Sequence, residues 1–111
     1  MKVNDIVNQL NLTVFGGNNG LTKSVLGGYT SDLLSDVMGN ADAGQVWITL
    51  QTHKNVMAVA SLKELSAVIL VKGLTPDADM LEQGNSENIP VLGTNLETFE
   101  LSGKLYQLLQ K

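Results

Sequence analysis

The sequence predicts an α/β fold, a three-layer sandwich with a mainly parallel central sheet, and three observations predict it. Val46 to Leu50 is rich in β-branched and aromatic residues, while Ala67 to Val71 is continuously apolar. That is the pattern of strands covered on both faces. From Val46 onward strand patterns alternate with helical ones, the order that right-handed crossovers turn into a parallel sheet. The third observation is the run Val56, Met57, Ala58, Val59, Ala60 and Leu62. It covers more of a helix than the single stripe needed to lie on one sheet, so this helix is expected to have two neighbours.

In chain order, Val3, Ile6, Val7 and Leu10 recur at helical spacing and predict a helix over 3–10, leading into a strand at Leu12 to Phe15. Gly16-Gly17-Asn18-Asn19-Gly20 is a loop, because glycine and asparagine supply positive-φ turn positions. A short strand is expected near Ser24 to Leu26. The segment Gly27 to Asp32 then leads into a helix with Leu33, Leu34, Val37 and Met38 on its apolar face, Thr30 or Ser31 as N-cap, and Gly39 as its stop. After the strand Ala67 to Val71, Thr75-Pro76-Asp77 predicts a helix with proline at its first position, ending near Gly84. Ile89 to Leu92 is the next strand. The last helix opens at Thr94-Asn95-Leu96-Glu97, as a capping box from Thr94 or with Asn95 as cap, and its stripe is Leu101, Leu105, Leu108 and Leu109.

Composition narrows the function. The 111 residues suit one domain, 1–111, with a single core. There is no cysteine, which excludes disulfides and thiolate zinc sites. No apolar run reaches the length of a membrane span and the first residues lack a secretory core, so the expectation is a cytoplasmic protein off the membrane. The net charge is −4, with lysines and no arginine. Bidentate guanidinium contacts to guanine or phosphate are therefore absent, which argues against DNA or RNA as partner.

The densest cluster of hydrogen-bonding side chains is Gln51-Thr52-His53-Lys54-Asn55, between the central strand and the apolar helix. Ligands of parallel sheets collect beyond the carboxyl ends of the strands, where helix N-termini present N–H groups. Thr49 to Asn55, Lys72 to Asp77 and Gly93 to Thr98 are expected to meet there, joined by Gly27 to Asp32. The candidate site is Thr49, Gln51, Thr52, His53 and Asn55, with Gly28, Tyr29, Ser31 and Asp32 nearby. A phosphate or carboxylate suits the expected field, and Tyr29 offers a ring face or a hydroxyl. Against this, Thr52 and Asn55 also suit plain capping, and Gly27-Gly28 lacks the spacing of a phosphate loop. His53, the lone histidine, cannot build a histidine metal cluster. Asp32 and Asp36, four apart on one helical face, have no third ligand beside them.

The order Gly20 to Val25, Gly27 to Ala41, Val46 to Asn55, Val71 to Asp77 and Ile89 to Glu100 resembles a stand-alone DRTGG domain over nearly the whole chain, most specifically in Gly27 to Ala41 and Val46 to Leu62. The tail from Ile89 to Leu109 is similar to the end of the N-terminal domain of HPr kinase/phosphorylase. The resemblance implies a small α/β module, regulatory or structural rather than catalytic. In multidomain relatives such modules accompany CBS domains of a regulated pyrophosphatase, where they help form a dimer, and phosphotransacetylases. Where relatives carry Gly-Asp-Arg after the central strand this chain has Leu50 to His53, and where they carry Thr-Gly-Gly it has Val71-Lys72-Gly73. The missing arginine leaves Lys54 or Lys72 as a point charge for an anion.

The function this predicts is a non-catalytic regulatory module, a homodimer sensing a small polar or phosphorylated ligand such as a nucleotide. The alternative is a dimerisation or docking module that binds a partner protein and no small molecule. Val56, Met57 and Val59 supply the reason for a dimer, since a monomer is expected to leave some of them in water. An enzyme finds least support: there is no nucleophile motif, metal set or cofactor fingerprint.

Overall fold

In the computed structural model, which describes residues 1–110, the chain runs α1 (Val3–Leu10), β1 (Thr13–Gly16), a 3-10 turn (Asn18–Gly20), β2 (Gly27–Thr30), α2 (Leu34–Asn40), β3 (Gln45–Thr49), α3 (Asn55–Leu62), β4 (Ala67–Leu70), α4 (Ala78–Glu87), β5 (Val91–Gly93) and α5 (Thr98–Leu109). The sheet order is β1-β5-β4-β3-β2; β1 joins antiparallel and all other neighbours are parallel.

Alternation along the strands divides the core in two. Val46, Ile48, Ala67, Ile69 and Leu92 pack with Ile6 of α1 and Leu101 and Leu105 of α5. Trp47, Val68, Leu70 and Val91 pack with Val37 of α2, Val56 and Met57 of α3 and Met80 of α4. The result is the expected three-layer α/β sandwich. Helices α2, α3 and α4 cover one face, and α5 crosses back over the other from β5 to β2 beside α1.

The expected second neighbour of α3 exists, and it belongs to the same chain. Val56, Met57, Val59 and Ala60 are buried, because α2 and α4 flank the helix on the sheet. The reason α3 offered for a dimer is thereby removed. Its exposed large apolar residue is Leu62.

Several boundaries differ from the expectation, each for a local reason. The second strand lies at Gly27–Thr30 rather than Ser24 to Leu26. Ser24 bridges Lys2 and Val25 N–H donates to Met1 O (2.8 Å), which ties that segment to the N-terminus instead. Glycine is tolerated in β2 where α5 crosses closely: a Cβ on Gly28 would sit 3.2 Å from Leu105 Cδ2. α2 begins at Leu34 with Leu33 as cap; the Ser31 hydroxyl accepts from Leu33 N–H (3.2 Å) in a turn outside the helix. α2 also runs through Gly39 to Asn40.

Pro76 sits before the Asp77 cap rather than inside α4, and α4 continues past Gly84 to Glu87. Gly84 is where α4 passes over β5, since a Cβ there would meet Val91 Cγ2 at 2.6 Å. No capping box forms before α5. Thr94 Oγ1 accepts from Leu96 N–H (3.2 Å), and Glu97 occupies the cap position. Gly17 has φ +72, and a Cβ added there would run into the backbone of Ile89. The glycine loop is thus packed under the β5 entry.

Candidate functional site

The carboxyl edge of the sheet is formed by the loops after β2, β3, β4 and β5. The loops after β2 and β3 are joined through Asp32. Its Oδ1 accepts from Thr49 Oγ1 (2.9 Å) and from Leu50 N–H (2.8 Å), while Gln51 Nε2 donates to its carbonyl (3.0 Å). Gln51 N–H donates to Thr49 Oγ1 (3.2 Å), and Trp47 Nε1 donates from the core to Ser31 O (2.7 Å). Four of the nine candidate residues, Ser31, Asp32, Thr49 and Gln51, therefore do come together. Asp32, Thr49 and Gln51 satisfy one another, Ser31 is bonded to Trp47 and Leu33, and Thr49 is fully buried. Their polar groups hold two loops in register.

Thr52 belongs to a second tie, to the loop after β4. Its hydroxyl donates to Asp77 Oδ1 (3.3 Å) and its carbonyl accepts from Asp77 N–H (2.9 Å). His53 follows, half-buried, with Nδ1 enclosed and without a hydrogen-bond partner. Asn55 is exposed as the first residue of α3. Gly28 and Tyr29 do not reach this edge. Gly28 faces α5 from within β2, and the Tyr29 hydroxyl donates to Asp36 Oδ1 (2.9 Å) on α2. Asp32 and Asp36 do not share a helical face either, because Asp32 precedes α2 and turns to β3.

Asp36 is held below the ordinary carboxylate range, first by the neighbouring Ser31 hydroxyl and then by the Tyr29 phenol; burial opposes them, and the Asn40 amide adds a smaller lowering effect. Its hydrogen bond with Asp36 raises the phenol of Tyr29. A carboxyl depressed in the fold adds stability that is present above the unfolded value and is lost as pH falls through the folded one. Tyr29→Phe removes one of the donors. Its acid unfolding midpoint is expected at higher pH than that of the unsubstituted protein, with neutral-pH circular dichroism unchanged. Superimposable acid limbs would show that the pair does not couple to folding.

The expected gathering of positive helix ends is met at one helix. α2, α4 and α5 carry Asp36, Asp79 and Glu100 in their first turns, and Asp77 and Glu97 are the caps of α4 and α5. These acids offset the helix dipoles. The start of α3 has no acid in its first turn, no side-chain cap, and Lys54 at the cap position.

After β4 the chain turns to the α4 face and after β5 to the α5 face, so the topological switch point lies between those strands. Backbone bonds bridge it: Lys72 N–H donates to Leu96 O and Gly73 N–H to Thr94 O, both at 2.9 Å. Beside it lies a cleft of about 240 Å³ lined by Thr13, Gly73, Thr75, Thr94 and Asn95 among others. Asn11 and Thr13 enter this cleft because β1 pairs with β5. That pairing joins the two ends of the chain, and no local pattern announces it. Among the described residues no group of three or more His, Asp or Glu side chains is placed to hold a metal ion.

This architecture, a small three-layer domain with a mainly parallel sheet, agrees with its relatives. The family model for the DRTGG domain matches residues 5–108, and the chain belongs to that family. Among solved structures it is similar to the CBS and DRTGG domains of the regulatory region of a Clostridium perfringens pyrophosphatase, complexed with its activator diadenosine tetraphosphate. The TM-score is 0.70 at 17% identity, over 95% of this chain and 45% of that one. The chain thus spans less than half of that structure, and the likeness is one of fold. No curated protein matches it.

Proposed function

We propose that this domain is a non-catalytic regulatory module that works as a homodimer and senses a small anionic ligand, a nucleotide or another phosphorylated metabolite, at the start of α3. The observation that carries the reading is His53 Nδ1, an enclosed polar atom without a partner. Such an atom is costly unless something hydrogen-bonds it. It lies beside the helix start that has a lysine cap and no acid in its first turn, where an anion is favoured. Asn55 extends the same edge. Ser31, Asp32, Thr49 and Gln51 then act as the scaffold that sets the loop bearing His53. Family membership and the nucleotide activator of the pyrophosphatase regulatory region lend support to the ligand class.

A thermal-shift screen with diadenosine tetraphosphate, AMP, ATP and inorganic phosphate tests the reading. At least one probe is expected to raise Tm. His53→Ala combined with Asn55→Ala is expected to weaken that probe about tenfold or more, roughly 1.4 kcal/mol, with the mass and unliganded Tm retained. No shift with any probe, or unchanged affinity in the double variant, sinks the site.

The second reading is a docking module for a partner protein, without a small ligand. Exposed Leu26, Leu33, Phe99 and Tyr106 favour it.

A further inference from the structure

The two edges of the sheet are unlike. β1 carries an irregularity between Val14 and Gly16 in its pairing with β5, and Asn85 of α4 accepts from Gly17 N–H (2.7 Å) at its end. Bulges and covering elements of this kind keep an edge from adding strands. β2, the opposite edge, has neither a break in its pairing with β3 nor a strand on its outer side. Residues 24–31, Ser-Val-Leu-Gly-Gly-Tyr-Thr-Ser, contain no charge and no proline. A strand paired on one side leaves half of its N–H and C=O groups pointing away from the sheet.

The surroundings of this edge are uncharged too, and partly apolar. Leu26, immediately before β2, is 76% exposed, and Tyr106 of α5 is 67% exposed. Together with Gly28, Ser102 and Leu109 they line a groove of about 390 Å³ between β2 and α5. Thr30 and Ser102 join hydroxyls at 2.8 Å at its far end. Phe99, one turn before Ser102, is 92% exposed.

We infer that a second copy of this chain docks here, pairing β2 antiparallel with its own counterpart across a two-fold axis, so that two five-stranded sheets become one. The inference rests on the homodimer of the proposed function and replaces α3 with a different surface. Two features select a second copy as the occupant. An antiparallel strand paired about a two-fold supplies donors and acceptors to itself, and an isologous interface requires that self-complementarity. The chain as a whole carries −4, so two copies repel least where they meet through an uncharged strip, and residues 24–31 together with Ser102, Tyr106 and Leu109 form one. In the dimer Leu26 and Tyr106 of each copy close over the groove of the other.

Mass by light scattering and sedimentation over a wide concentration range tests the inference. The unsubstituted chain is expected at twice its 11.9 kDa. Leu26→Glu with Tyr106→Glu puts like charges on two exposed side chains, and is expected to give a monomer with unchanged circular dichroism. Gly27→Lys is the second variant. A Cβ at Gly27 makes its closest contact at 3.5 Å, to Gln45 Nε2, so the fold accepts it while a charge enters the edge. It too is expected to be monomeric. In the unsubstituted dimer the β2 amides are expected to exchange more slowly than in either variant.

A monomer at every concentration removes the homodimer altogether and leaves the strip to a different protein. A dimer that persists in the folded variants keeps the homodimer and overturns this surface.

Discussion

Ile69→Asp is expected to leave no cooperatively folded protein. Ile69 lies in the middle of β4, opposite Ile48 of β3 on one side and Leu92 of β5 on the other, and is fully buried. Its side chain points to the α1–α5 face, among Val46, Leu92 and Leu101. Among the described residues the buried polar side chains are Thr49 and Ser66, so no buried cation is there to pair with a carboxylate. An unpaired charge in such a place costs several kcal/mol or shifts its pKa to stay neutral, and the neutral acid still lacks hydrogen-bond partners. That is comparable to the whole stability of a domain this size, about 5–15 kcal/mol. The check is thermal and urea unfolding by circular dichroism, with Ile69→Val as the control expected to lose only about 0.5–1.5 kcal/mol. A sharp transition for Ile69→Asp near that of the unsubstituted protein would contradict the central position of β4.

Why β4 was legible and β2 was not follows from burial. Ala67 to Leu70 is buried on both faces, so its apolar run carries the strand signal in every residue. β2 is an edge of alternating intermediate and exposed residues, two of them glycine, and its strand character comes from its long-range ladder to Gln45–Ile48. The glycines are locally unfavourable to a strand. Tertiary pairing overrode that preference.

Similarly, the apolar excess of α3 was visible, and what covered it was not, since α2 and α4 are brought beside it by the crossovers. In the candidate site, the clustering of Ser31, Asp32, Thr49 and Gln51 at one edge was legible from strand ends and helix starts. Their direction was not: whether a hydroxyl faces a ligand or a neighbouring carboxylate depends on partners from another loop, as Thr49 and Asp32 show. The acids at the starts of α4 and α5 were in plain view in the sequence, and their charge weighs against a field gathered from all the helix ends.

Trp47→Ala is expected to destabilise the domain by about 3–5 kcal/mol, the usual range for emptying a large aromatic site. Trp47 is the largest fully buried side chain and packs in the layer under α2 and α3. It also connects the core to the candidate site, because its Nε1 donates to Ser31 O in the residue before Asp32. Removing the ring therefore opens a void and also leaves the Ser31 carbonyl without its indole partner. Trp47→Phe separates the two effects. It keeps most of the apolar volume and loses the hydrogen bond, for an expected cost of about 1–2 kcal/mol. Hydrogen exchange supplies the second readout. In Trp47→Phe the Leu50 amide, which donates to Asp32 Oδ1 at 2.8 Å, is expected to lose protection while the amides of β4 keep theirs. Faster exchange throughout the sheet would make Trp47 a packing residue alone, and unchanged Leu50 exchange would mean that Asp32 holds its loop without help from the core.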